Sequence, residues 1–400
     1  MLIDSGQSGN AMHKHLYQRF LSQNQGTLNF AAHSHHYWPD ATRDAMLQYW
    51  DDTARLVGHK WEHVFGEVVP EAQQHVARCL DLPDPERIVF GTSTHEFACR
   101  VMSCFPADRP IRLLTTDSEF YSFRRQMVRM AEDNIVVPHI VATDPIESFT
   151  GRFIDAANSA EFDLIYLSHV FFNSGFAHDL GAILTEVPFD RTQVIVDAYH
   201  SFCALPASYA GFGDHVFVTG GGYKYAQGGE GACFLSVPRD CSLRPANTGW
   251  FSAFSALESG QAGEIQYGTG GQRFAGATFD PTGMYRFNAA MSAVASAGLT
   301  IAGIHDYVIG LQQIFLQQLD ALDHRYLNRE SLIFCPARPV HGHFFTFQLP
   351  SASETAAFAK ELEARRIEID YRADRMRFGF GLYQDESDVH ELFDRITASR

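Results

Sequence analysis

Val218-Thr-Gly-Gly-Gly-Tyr-Lys-Tyr-Ala-Gln-Gly-Gly-Glu-Gly231 sets one lysine, Lys224, between an apolar run that leads into it and a second apolar run, Ala232–Val237. An ammonium gains nothing from a place between buried strands unless it is paired or does chemistry. Desolvation there lowers its pKa toward the free amine that Schiff-base formation needs. The glycines around it let backbone approach a ligand closely. A surface lysine in a glycine-rich turn is the competing explanation. It loses ground to an upstream segment, Gln193-Val-Ile-Val-Asp-Ala-Tyr-His200, in which a strand-like run ends in an acid and a histidine follows three residues later.

In α/β sheets the carboxyl ends of parallel strands form the ligand crevice, and a carboxylate there suits the ring nitrogen of a pyridine cofactor. Asp197 as a mere turn or cap residue accounts for less once Lys224 is set beside it. Strand-like runs at Arg87–Phe90, Ile111–Thr115, Ile135–Val141, Leu164–Ser168, Val194–Asp197 and Val216–Thr219 alternate with amphipathic helical segments, the pattern of a largely parallel sheet covered by helices. After residue 285 the pattern changes. Helical periodicity from Tyr285 to Leu322 precedes strands at Leu332–Cys335 and His343–Leu349, a helix at Glu354–Arg365, strands at Ile367–Tyr371 and Met376–Gly381, and a last helix. The expected organisation is an N-terminal arm over 1–27, flexible, a large cofactor-binding domain over 28–285, and a small α+β domain over 286–400 that the N-terminal segment joins.

The 400 residues, 46% of them apolar, suffice for a sizeable core. The formal net charge of −16, with few clustered Lys or Arg, argues against nucleic acid or an anionic membrane as the main partner. No stretch spans a bilayer and no secretory signal is read at the N-terminus. Seven cysteines without paired short spacing predict reduced thiols and a cytoplasmic protein, not a disulfide framework or a zinc site.

After Arg87–Phe90 comes Gly91-Thr-Ser-Thr-His-Glu96, where Ser93 and Glu96 fit a capping box. Hydroxyls of Ser93 and Thr94 beside free N–H groups at a helix N-terminus suit a phosphate. After Ile111–Thr115 comes Asp117-Ser-Glu-Phe-Tyr121, which offers Phe120 to cover one face of a planar ring.

With these motifs the chain resembles the fold-type I pyridoxal 5′-phosphate (PLP) enzymes of the class V aminotransferase superfamily, and within them kynureninase, over roughly residues 28 to 390. Asp197…His200 matches the Asp-x-x-His of kynureninases, and Tyr223-Lys224…Gly228-Gly-Glu-Gly231 matches their Tyr-Lys pair and glycine turn. The resemblance implies an α/β fold with a mostly parallel seven-stranded sheet and a small α+β C-terminal domain. Lys224 would carry the Schiff base, Asp197 pair with the pyridine nitrogen, and Phe120 stack on the ring. Ser93, Thr94, Tyr223 and His200 would lie at or near the phosphate. Gly249-Trp-Phe251 and Thr278 resemble segments that reach the partner's phosphate, which implies a homodimer with shared sites. Arg377, in Arg375-Met-Arg-Phe-Gly-Phe-Gly-Leu-Tyr383, resembles the family's carboxylate clamp, since a guanidinium binds a carboxylate bidentately. His59 resembles a histidine near the substrate ring.

Two loops depart from the family pattern. Ala32-His-Ser-His-His-Tyr-Trp38 stands where kynureninases have Asn-Ser-Leu-Gly, so His33, Ser34 and His35 border the expected substrate. Phe171-Phe-Asn-Ser-Gly175 replaces a Tyr-Tyr-Thr-Gly loop. The His33-x-His35 pair also suits a metal-dependent hydrolase, with His169 and Asp197 as further ligands; that rival leaves Lys224 unexplained, and no metal is expected. The expected reaction on an amino acid begins with Lys224 taking the α-proton. It then ends in hydrolysis of the Cβ–Cγ bond with Tyr223 shuttling a proton, in transamination, or in β-elimination. Cysteine desulfuration is disfavoured, because no cysteine loop lies between Ile369 and Arg377.

Overall fold

A computed structural model describes residues 13–259, 265–333 and 341–398. Seven strands form the large sheet: β1 Ile88–Gly91, β2 Ile111–Thr116, β3 Val136–Val141, β4 Leu164–Ser168, β5 Gln193–Asp197, β6 Phe217–Gly221 and β7 Cys233–Ser236. Their order is β1-β7-β6-β5-β4-β2-β3, and every strand runs parallel except β7. β4, β6 and β7 are buried along their whole length, which is why they read as unbroken apolar runs: helices cover both faces. β3 sits at an edge and shows exposed positions. Because six strands share one direction, the carboxyl ends of β1, β2, β4, β5 and β6 open on one rim.

The helix Thr94–Met102 starts where Ser93 Oγ accepts from Glu96 N at 3.2 Å. The stretch read as one helical pattern is two helices, Thr282–Ser296 and Ile301–Ala321, bent by 78°. Gly298, at φ +74°, supplies the left-handed residue that the break needs. No single described helix is long and apolar enough to cross a membrane.

A second sheet orders Asp370–Arg372, Arg375–Gly379, Phe344–Gln348 and Leu332–Ile333, all antiparallel. Phe334 and Cys335 of the expected strand lie outside the described residues. Phe315 is fully buried at the centre of this body, against Phe345, Phe347, Phe378, Phe380 and Phe393. Leu28–Asn29 pairs in parallel with Ile367–Glu368, and Leu28 and Phe30 pack in the same cluster. The segment read as a flexible arm is docked from His13 onward: Tyr17 is fully buried, and Lys14 pairs with Asp385 and Asp388 at 2.8 and 2.7 Å. Amphipathic burial overrides the absence of an obvious helical pattern there.

Candidate active site

Asp197 ends β5, and Lys224 follows β6, its parallel neighbour. The turn after Lys224 closes under Trp38. Gly229 has φ +70°, and a Cβ there would meet Trp38 at 2.6 Å, so only glycine fits. Lys224 is buried, and burial pulls its pKa down to about 7. Its Nζ lies 2.7 Å from His200 Nε2. His200 is itself buried, which holds it neutral, well below its ordinary value, and its Nδ1 has no partner. The sequence reading put His200 near the phosphate; in the structure its ring meets the lysine amine.

Three rings surround the amine: Tyr199 at 4.8 Å, and Phe120 and Tyr223 at 5.5 Å from Nζ to centroid. Phe120 remains 40% exposed, leaving a face for a planar group. Asp197 Oδ2 accepts from Tyr166 Oη at 2.8 Å, and Oδ1 accepts from Tyr199 N at 2.9 Å. Burial raises the Asp197 pKa, opposed by those bonds and by Lys224. Burial also pushes Tyr223 up to about 12, so it holds its proton at neutral pH.

Thr94, Ser93 and Glu96 form the helix start beside β1, where Gly91 is paired with Cys233. Tyr199 Oη lies 3.5 Å from Cys233 Sγ and so spans from Lys224 to this turn. Glu96 turns back onto Thr92 N and Oγ1 at 3.2 and 2.9 Å.

Arg377 is buried and committed: Nη1 donates to Phe172 O at 2.6 Å, Nη2 pairs with Asp370, and Nε has no partner among the described residues. Asp370 is its cross-strand neighbour, an acid that the sequence reading did not weigh. His33 is fully buried, stacked on Phe344 at 4.7 Å, with both ring nitrogens unpartnered and Asp370 Oδ2 at 3.9 Å. Ser34 donates to Ala31 O at 3.1 Å, and His35 is exposed, 6.4 Å from the Tyr223 ring. His33 and His35 thus diverge. Among the described residues no group of three or more His, Cys, Asp or Glu is placed to hold a metal ion, and the metal-hydrolase reading loses its ligand set.

The structure does not bring His59 to Lys224. It stands on the surface beside Glu62 at 3.2 Å, because the 3-10 turn Val57–His59 closes an outer helix. Trp250 Nε1 donates to Thr278 Oγ1 at 3.3 Å on an exposed face, so these two meet each other and not Lys224. Sequence reasoning missed Glu119, Tyr166, Tyr199 and Asp370. Glu119 is buried, accepts from Thr116 Oγ1 at 2.7 Å and Ser168 N at 3.1 Å, and is pushed by burial up to about 8.

Residues 32–392 match the family described as aminotransferase class-V. The chain belongs to the class V aminotransferase family. A curated relative, the uncharacterized aminotransferase YcbU of Bacillus subtilis (strain 168), is 23% identical over 219 residues, 54% of this chain and 57% of that protein. The match therefore spans little more than half of the relative's length. Two solved structures share the fold. A mutant of C-DES with glycine covalently linked to its PLP cofactor has TM-score 0.80 at 17% identity, covering 96% of this chain and 98% of that one. The cysteine desulfurase of Thermococcus onnurineus NA1 has TM-score 0.75 at 18% identity, covering 98% of both. PLP is the cofactor of the class V protein described here. Its residues fit that cofactor: a buried amine near neutrality, a buried acid on the neighbouring strand, an open aromatic face, and an orphaned His200 Nδ1.

Proposed function

We propose that the enzyme hydrolyses a Cβ–Cγ bond of an amino acid that carries a γ-carbonyl, releasing alanine and a carboxylic acid, in the manner of kynureninase. The observation that carries the reading is the buried Lys224–His200 pair at 2.7 Å. Two adjacent groups, a neutral imidazole and an amine that exchanges its proton at about pH 7, let one hold the α-proton while the other draws a proton from water. PLP, when bound, offers an aldehyde to the substrate amine and a ring that accepts electrons from Cα. As a carboxylate, Asp197 favours a proton on the ring nitrogen, with Tyr166 fixing its orientation. Lys224 takes the proton from Cα. His200 accepts a proton from the water that attacks the γ-carbonyl, and Tyr223, a neutral phenol beside Lys224, returns one to Cβ. Arg377 keeps Nε for the substrate carboxylate.

A homodimer and a cytoplasmic setting belong to the same proposal. A cleft of about 530 Å³ near Trp61, Phe65, Phe251 and Phe254 leaves Phe65 41% and Phe254 52% exposed beside Trp250, which a second copy would cover. The described cysteines are free thiols.

A product screen of the holoenzyme across amino acids tests the reaction. Alanine with an acid supports it. Pyruvate with ammonium indicates β-elimination, a keto acid with aminated cofactor indicates transamination, and either overturns the hydrolase reading. Sedimentation tests the dimer.

A further inference from the structure

A cavity of about 230 Å³ opens beside Phe172, between the rim of the large sheet and the hairpin of the small one. It adjoins the site. Phe172 packs edge-on to Phe120 at 5.4 Å, and Phe120 lies 5.5 Å from Lys224 Nζ. Four guanidinium groups line it, those of Arg124, Arg372, Arg375 and Arg377. Two share one acid: Arg377 and Arg372 both pair with Asp370. The other two have no acidic partner among the described residues. Arg375 Nη1 donates only to Asn173 O at 3.1 Å, and Arg124 reaches the cavity from the first turn of the helix Tyr121–Glu132.

The acids in the wall are already engaged. Asp117 accepts from Thr143 N at 3.0 Å, Thr143 Oγ1 at 2.9 Å and Ser118 Oγ at 3.1 Å. Asp374 accepts from Gln348 Nε2. Glu119 is buried under Ser168 and Thr116, and burial favours its protonated form. With Glu119 protonated, four arginines at one small cavity outnumber the three carboxylates Asp117, Asp370 and Asp374, a local positive excess in a chain of net charge −16. Forked donors of this type recognise oxyanions.

We propose that Arg124 and Arg375 bind an acidic group at the end of the substrate's side chain, so that the amino acid turned over is anionic at both ends. The inference rests on the reading of this site as that of an amino-acid enzyme and narrows its substrate class. Arg377 serves the α-carboxylate, and the cavity takes the distal carboxylate, sulfinate or sulfonate.

The test uses unreactive ligands on the holoenzyme. Calorimetric affinities are measured for glutarate and for glutaramate, which differ only in one carboxylate turned amide. Glutarate is expected to bind about tenfold more tightly, because a neutral amide forgoes the charge-assisted hydrogen bonds that a carboxylate accepts from a guanidinium. Arg124→Gln and Arg375→Gln each remove most of that preference, and the corresponding lysine variants recover part of it, which a purely structural role would not produce. Equal affinities in the wild type, or a preference that survives both glutamine variants, overturns the proposal. Turnover of amino acids without a glutarate preference sinks this site alone. A glutarate preference without any Cβ–Cγ hydrolysis sinks the proposed reaction and leaves the site standing.

Discussion

Replacing Lys224 with methionine keeps most of the side-chain bulk and deletes the buried amine. Folding moves that amine from an ordinary pKa of 10.5 to about 7, with burial as the largest cause. Between those values the unfolded chain still carries a proton on Lys224, whereas the folded chain has released it. The unfolded state therefore binds more protons across this window, and stability rises with pH. Below pH 7 both states are protonated and the cost is constant. At about 1.4 kcal/mol per unit the whole shift amounts to roughly 4–5 kcal/mol. Urea unfolding of cofactor-stripped wild type and Lys224→Met at pH 7 and pH 10 isolates it. The buried tyrosines and cysteines that also titrate, such as Tyr199 and Cys203, are present in both proteins and cancel in the difference. The wild type should gain about 3 kcal/mol on the variant between the two pH values. A difference that does not move with pH, or that moves the other way, refutes the claim that the amine is buried near neutrality.

Tyr166→Phe deletes the 2.8 Å bond to Asp197 Oδ2; turnover should fall about tenfold and stability by about 1 kcal/mol, read by kinetics and urea titration. Gly229→Ala forces a methyl into Trp38 at a left-handed backbone and should cost about 1–3 kcal/mol in unfolding experiments, with cofactor affinity reduced by the displaced turn. Phe315→Ala empties the centre of the small body and should cost about 3–5 kcal/mol, measured by urea unfolding, without altering the absorbance of bound cofactor.

The run Leu164–Ser168 was legible as a strand because both its faces are buried, and the same holds for the residues that end in Asp197. Tyr166 sits inside that run and looks like core. Its hydroxyl acquires a purpose only when β4 and β5 lie side by side, a relation across 31 positions that no local pattern carries. Glu119 reads as a loop acid next to Phe120, yet the parallel partner strand brings Ser168 over it. Arg377 was singled out on its strand from the sequence, but its cross-strand pairing with Asp370 depends on the register of a hairpin whose turn lies at Ala373 and Asp374. His59, matched by motif likeness, lies on the surface beside Glu62, a position its local sequence does not reveal.

The strand β1, from which the helix Thr94–Met102 hangs, is an edge strand whose sole sheet neighbour among the described residues is the antiparallel β7. Residues 88–91 must therefore wait for residues 233–236 before they have a place in the sheet. During synthesis the Ser93 turn emerges early but cannot be fixed until more than half of the chain has left the ribosome, and such distant pairings close slowly. The cofactor accordingly meets a nearly finished fold and stabilises it by mass action. Vitamin B6 starvation of producing cells should then yield protein that folds but melts at a lower temperature, not protein that fails to assemble.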